Sequence, residues 1–128
     1  MAAEKVPPSA VEPKFPQMAR VPNATHVVVE PRKITHYLLS GTSTKGAAKA
    51  AFFEQFGFRR NQPGVLERAL RTHVETQDID RKFTSPWGVK YEISGPMPAP
   101  DGRVPKVRTV WIIDTGATVP RFVTAVPD

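Results

Sequence analysis

The chain has 128 residues, 40% of them hydrophobic and 23% charged, a make-up that suits one globular domain with a modest core. It contains no Cys, which excludes disulfides, thiolate metal sites and a Cys nucleophile. The net charge is +6, and it is unevenly placed: residues 1–31 are neutral, with Lys5, Lys14 and Arg20 offsetting Glu4, Glu12 and Glu30, so the whole excess falls in residues 32–128. A basic globular region attracts polyanions by counterion release, nucleic acid being the commonest such partner and RNA one candidate, while solubility alone is the rival reading of the charge.

Residues 1–25 hold Pro7, Pro8, Pro13, Pro16 and Pro22. Each Pro removes an amide donor and pushes its predecessor towards extended backbone, so this stretch is read as an extended or disordered arm. Phe15, Met18 and Val21 are its candidates for docking on the body or on a partner chain. Residues 26–128 form the single folded domain. Its first elements are a β-branched edge strand from His26 to Glu30, ended by Pro31, and a short helix over 32–39 carrying Ile34, Tyr37 and Leu38.

Residues 45–56 read as a helix with Ala48, Phe52 and Phe56 in one stripe widened by Ala51, with Thr44 as N-cap and Gly57 as the left-handed C-terminal residue. Pro63 suits the first turn of the next helix, which runs to about Gln77 with the stripe Leu66, Ala69, Leu70 and His73. The period then changes to two. Strands are expected over Ile79–Phe83, Val89–Ile93, Val107–Ile113 and Arg121–Val126, with Asp101-Gly102 and Asp114-Thr115-Gly116 as turns. The third is apolar on both faces and is read as central. Helices followed by strands give an α+β fold: two or three N-terminal helices on one face of a roughly four-stranded antiparallel sheet.

The motif search mostly excludes. His26, His36 and His73 have no partners at metal-ligand spacing, so neither metal nor cofactor is expected. No glycine-rich phosphate loop follows a strand, and no Gly-x-Ser-x-Gly elbow is present. No apolar run approaches the roughly 20 residues that cross a bilayer, and the first residues lack the apolar segment of a signal peptide. A cytoplasmic protein, or a passenger exported without a cleavable signal of this kind, is the expectation, with no membrane partner.

What remains is metal-free acid–base chemistry on a phosphodiester, which needs proton-transfer groups and cations or hydroxyls for the charge on phosphorus. His73, Lys90, Arg108 and Thr124 are the catalytic candidates; Arg108, Arg121 and Thr109 are the phosphate-binding ones. Each has a structural counterpart reading. His73 lies on an apolar stripe, as a core histidine does. Lys90 and Glu92 fit an exposed strand face, and Thr109 and Thr124 are ordinary strand residues. Arg108 sits on a strand that otherwise reads as buried, so it needs either an ion pair or an anion. Trp87, Tyr91, Trp111 and Phe122 are read as core, with one exposed member able to stack a base.

Several runs carry a resemblance: Lys33-Ile34-Thr35-His36-Tyr37-Leu38-Leu39, Lys49-Ala50-Ala51-Phe52-Phe53, Gly88 to Pro96, Arg108-Thr109-Val110-Trp111 and Pro120 to Pro127. Together, over residues 26–127, they resemble a bacterial domain family of unknown function, found alone or at the ends of toxin-like proteins. More distantly, the order of elements resembles the barnase–EndoU–colicin–RelE class of small metal-independent ribonucleases. That resemblance implies RNA cleavage, with His73, Lys90, Arg108 and Thr124 as the matching positions and a neutralising protein as a partner. The rival reading is a non-enzymatic interaction module in which residues 1–25 pair with a second copy of the chain.

Overall fold

The computed structural model describes residues 19–35 and 47–128. A single 3-10 turn, Ala24–His26, is followed by a one-turn helix α1 (Pro31–Lys33) and the helices α2 (Ala47–Gln55) and α3 (Pro63–Thr76). Four strands follow: β1 (Ile79–Ser85), β2 (Gly88–Pro96), β3 (Lys106–Asp114) and β4 (Arg121–Pro127). They form one antiparallel sheet in the order β1-β2-β3-β4. The α+β expectation holds, and β3 is an interior strand.

The sheet has two unlike faces because side chains alternate along a strand. Tyr91 and Ile93 on β2, Val107, Thr109 and Trp111 on β3, and Phe122 and Ala125 on β4 face inward and are buried. All of these except the polar Thr109 form one apolar cluster with Phe53 of α2, Leu66, Leu70 and Val74 of α3, and Val21, Val27, Val29 and Ile34 of the leading segment. Each large side chain buried this way stabilises the fold by about 1.5–3 kcal/mol. The opposite, outer face carries Lys90, Glu92 and Ser94 on β2, Arg108 and Ile112 on β3, and Arg121 and Thr124 on β4.

Two bulges reshape that outer face. One on β1 lies between Ile79 and Arg81 and makes Asp80 the extra residue; the other falls between Val110 and Trp111 and leaves Val123 extra on β4. A bulge turns one side chain away from strict alternation, and Asp80 thereby reaches the outer face.

Several local expectations change. The strand over His26–Glu30 reduces to the 3-10 turn and one parallel bridge, Val28 to Arg121, with Val28 N–H donating to the Pro120 carbonyl at 2.9 Å. Pro31 starts α1 and has no N–H with which to extend the pairing. On α2 the buried positions are Ala50 and Phe53; Phe52 and Phe56 are half-buried, and Ala48 and Ala51 are exposed. The stripe is thus rotated by about one residue, because Phe53 packs edge-on against Phe58 beyond the helix end. Gly57 has φ of +101° and ends α2 as expected. The Thr44 cap, the stretch 36–39, Phe15 and Met18 lie outside the described residues. Val21, from the Pro-rich stretch, is buried, and the Ala19 carbonyl accepts a hydrogen bond from Ile79 N–H at 2.8 Å.

Candidate functional site

The side chains proposed for chemistry separate by face. His73 and Thr109 point into the covered interior; Lys90, Arg108, Arg121 and Thr124 belong to the outer face. No single cleft collects them.

His73 projects from the buried stripe of α3 and is 2% exposed. Its Nε2 lies 3.1 Å from the Gly95 carbonyl, and its Nδ1 lies 2.9 Å from Thr109 Oγ1. A carbonyl only accepts, so Nε2 carries the proton and Nδ1 accepts from the Thr109 hydroxyl. Trp111 Nε1–H donates to the same Thr109 oxygen at 2.9 Å. One directional chain results, from Trp111 through Thr109 and His73 to Gly95. Burial holds the imidazole below its ordinary pKa of 6.5, against the opposing pull of the Gly95 and Val107 backbone. His73 is therefore a neutral core histidine with both ring nitrogens bonded.

Arg108 is the hub of an ion cluster. Its Nη1 donates to Asp80 Oδ2 and to Glu92 Oε1, each at 3.0 Å, and its Nε to Asp128 Oδ1 at 3.3 Å. Asp128 also accepts from the Ser94 hydroxyl. Partial burial alone would weaken the guanidinium's hold on its proton; the Asp80 hydrogen bond and the charge of Asp128 outweigh this and raise its pKa. Asp128 is held below the usual carboxylate range, first by the Ser94 hydrogen bond and then by Arg108. With its Nη1 and Nε bonded to carboxylates, Arg108 does not present an unneutralised clamp to a phosphate.

Lys90 and Arg121 sit in another row of the outer face, since Lys90 pairs with Ile112 and Ile112 with Arg121. The Lys90 ammonium lies 5.6 Å from the centre of the Phe83 ring. Arg121 grips Asp114 with two hydrogen bonds, of 2.7 and 3.1 Å, and this pairing first of all raises its pKa. Four residues of β3 separate Ile112 from Arg108, which puts the Lys90 and Arg108 backbones roughly 14 Å apart at ordinary strand spacings. The Thr124 hydroxyl, opposite Val110, is a buried oxygen with no hydrogen-bond partner among the described residues. Among the described residues no group of three or more His, Asp or Glu is placed to hold a metal ion, and no helix is long and apolar enough to cross a membrane.

Sequence reasoning missed three features. Asp80 and Asp128 as partners of Arg108 depend on a bulge and on β4 register, which no local pattern announces. Lys33 of α1 reaches the Val123 carbonyl at 3.0 Å, a contact between residues 90 apart in sequence. Trp87 is 75% exposed; its place between Pro86 and Gly88, a turn signal, was the available clue.

A family model described as a domain of unknown function (DUF6883) matches residues 20–128. Among solved structures, a chain from a contact-dependent growth inhibition toxin–immunity protein complex of Klebsiella pneumoniae 342 is similar, with a TM-score of 0.63 and 18% identity. The match covers 79% of this chain and 99% of that one, and at this identity it speaks for the fold. No curated protein matches the chain.

Proposed function

We propose, for a chain that belongs to the DUF6883 domain family, that it is a partner-binding module of the toxin–immunity kind, working through protein recognition. The fold neighbour comes from a complex of a toxin with its immunity protein. Whichever of the two proteins that chain is, it holds a protein partner, so partner binding is supported by either identity and toxicity by only one.

The observation that carries the reading is the internal satisfaction of the two strongest chemical candidates. Arg108 is bonded to three carboxylates, and both His73 nitrogens are used inside the core. A general acid or base must reach the proton it moves, and a phosphate clamp must present unneutralised donors. The test is to purify the tagged full chain from its native cells at high salt. A one-to-one complex with a single protein is expected on size exclusion and native mass spectrometry. A monomer that carries no partner and degrades RNA would overturn the reading.

One observation favours RNA cleavage as a second reading: the Thr124 hydroxyl is a buried polar atom without a partner, the kind of unsatisfied group found where a ligand completes a site. In that reading Thr124 orients a phosphate held by Arg121, and Lys90 transfers the proton. Substituting Thr124→Val with retained fold would then abolish cleavage of total RNA.

A further inference from the structure

The most exposed large hydrophobic residue among the described residues is Trp87, at 75%, ahead of Val104 and Val28. It occupies the two-residue turn between β1 and β2, whose last paired residues are Ser85 and Gly88. This turn is fastened on both sides. Trp87 N–H donates to Ser85 Oγ at 3.2 Å. The Trp87 carbonyl accepts from Thr115 N–H at 2.9 Å, and the Thr115 hydroxyl donates to the Pro86 carbonyl at 2.8 Å. Gly88, at φ +146°, lies so close to β3 that a Cβ there would stand 2.3 Å from the Ile113 carbonyl oxygen. The indole is therefore carried in water on a backbone tied to the neighbouring β3–β4 loop.

An exposed ring on a fixed turn loses little freedom when a partner covers it, which is the usual penalty of association. Trp is also among the residue types most enriched where binding energy concentrates. Next to this tip is the Ser85–Gly88–Asp114 row, and the following row of the same face adds half-buried Phe83 and Ile112 with exposed Lys90 and Arg121, the Arg121 charge being offset by Asp114. An apolar centre with the exposed Lys90 cation beside it complements an apolar socket with a carboxylate at its rim. Single-stranded RNA would instead stack on successive rings with cations free for phosphate. Among the described residues Trp87 is the one exposed aromatic ring, which offers no run of rings for successive bases, and Arg121 is already held by Asp114.

From this geometry we infer that the β1–β2 tip carrying Trp87 is the anchor by which the chain docks a partner protein, and that the partner supplies an apolar socket with Asp or Glu at its rim. The inference rests on the partner-binding reading and names its surface.

The probe is a phage-displayed library of random peptides, selected on the immobilised full chain and compared across Trp87→Ala, Trp87→Phe, Lys90→Glu and, on the far surface, Arg68→Glu. Circular dichroism verifies the fold of each variant. Retained peptides should combine aromatic or aliphatic residues with Asp or Glu. Binding should fall at least about tenfold in Trp87→Ala, stay near wild type in Trp87→Phe, and fall several-fold in Lys90→Glu but not in Arg68→Glu. Peptides that bind Trp87→Ala as well as wild type, or that depend on Arg68, overturn the inference. So does quenching of Trp87 fluorescence by oligouridylate at about 0.15 M salt, where loose charge attraction is screened. If the co-purified partner binds Trp87→Ala unchanged, this surface is wrong while the partner-binding reading stands. If no partner co-purifies yet peptides bind through Trp87, the surface stands and that reading fails.

Discussion

Arg108 and Thr109 are neighbours on β3, yet the two faces of the sheet treat their polar groups in opposite ways. Thr109 points into the dry interior, where its hydroxyl takes one hydrogen bond from Trp111 and gives one to His73. That network is neutral, directional and complete. Arg108 points outward, keeps a side-chain exposure of 24%, and collects three carboxylates that water also reaches. The inner network avoids burying charge; the outer one tolerates charge because its desolvation is partial. Each polar group is committed to internal partners, but leaving a partner out costs far more inside than outside.

The sharpest way to break this contrast is Thr109→Val. It leaves His73 Nδ1 and the Trp111 N–H unsatisfied in the core, for an expected loss of about 2–4 kcal/mol at near-constant shape. Urea denaturation measures it, and a loss under about 0.5 kcal/mol would mean the inner chain of bonds is not what fixes these side chains.

Arg108→Ala comes next. It leaves Asp80, Glu92 and Asp128 facing one another, and a loss of about 1–3 kcal/mol is expected because water reaches the cluster. Raising salt to about 1 M should shrink that loss through screening, and adding Asp128→Asn should recover part of it. A salt-independent loss would argue that the cluster behaves as a dry one.

Acid titration separates the faces by pH. His73 is held below 6.5 by burial, so the unfolded chain takes up the proton first. Its contribution to stability is complete above about 6.5 and declines as pH falls below that value towards the folded pKa, by at most about 1.4 kcal/mol per pH unit. Asp128 is depressed from 3.8, so its contribution is present above 3.8 and is lost only as pH falls through its lower folded value. Urea midpoints from about pH 7 to 4.5 should therefore slope in wild type and flatten in His73→Gln. A slope that survives this substitution would place the acid sensitivity elsewhere.

The smallest effect belongs to Trp87→Ala, which should change stability by no more than about 0.5 kcal/mol, since the ring is exposed. A larger loss in thermal or urea unfolding would mean that the indole supports the fold.

The sequence makes the sheet legible because β2 alternates polar and apolar residues, β3 and β4 are rich in β-branched and aromatic residues, and glycines with positive φ mark the turns. Helix α3 is equally readable from Pro63 and the stripe ending at His73. The α2 stripe was harder: three Phe residues lie within five positions, Phe52, Phe53 and Phe56, and only packing against Phe58 selects the buried one. The candidate site was legible by residue type and not by address. Strand parity separates residues 108 and 109 onto opposite faces, but the acids that occupy Arg108 come from 28, 16 and 20 residues away. Local pattern reading does not reach that far, and a bulge that shifts Asp80 by one position decides the outcome.

Total RNA incubated at low salt with pure wild-type protein, beside a folded Arg108→Ala variant, puts the claim that these cations are internally committed to the most direct test. Intact RNA in both reactions is the predicted result. Cleavage by the wild type that disappears in the variant would contradict it.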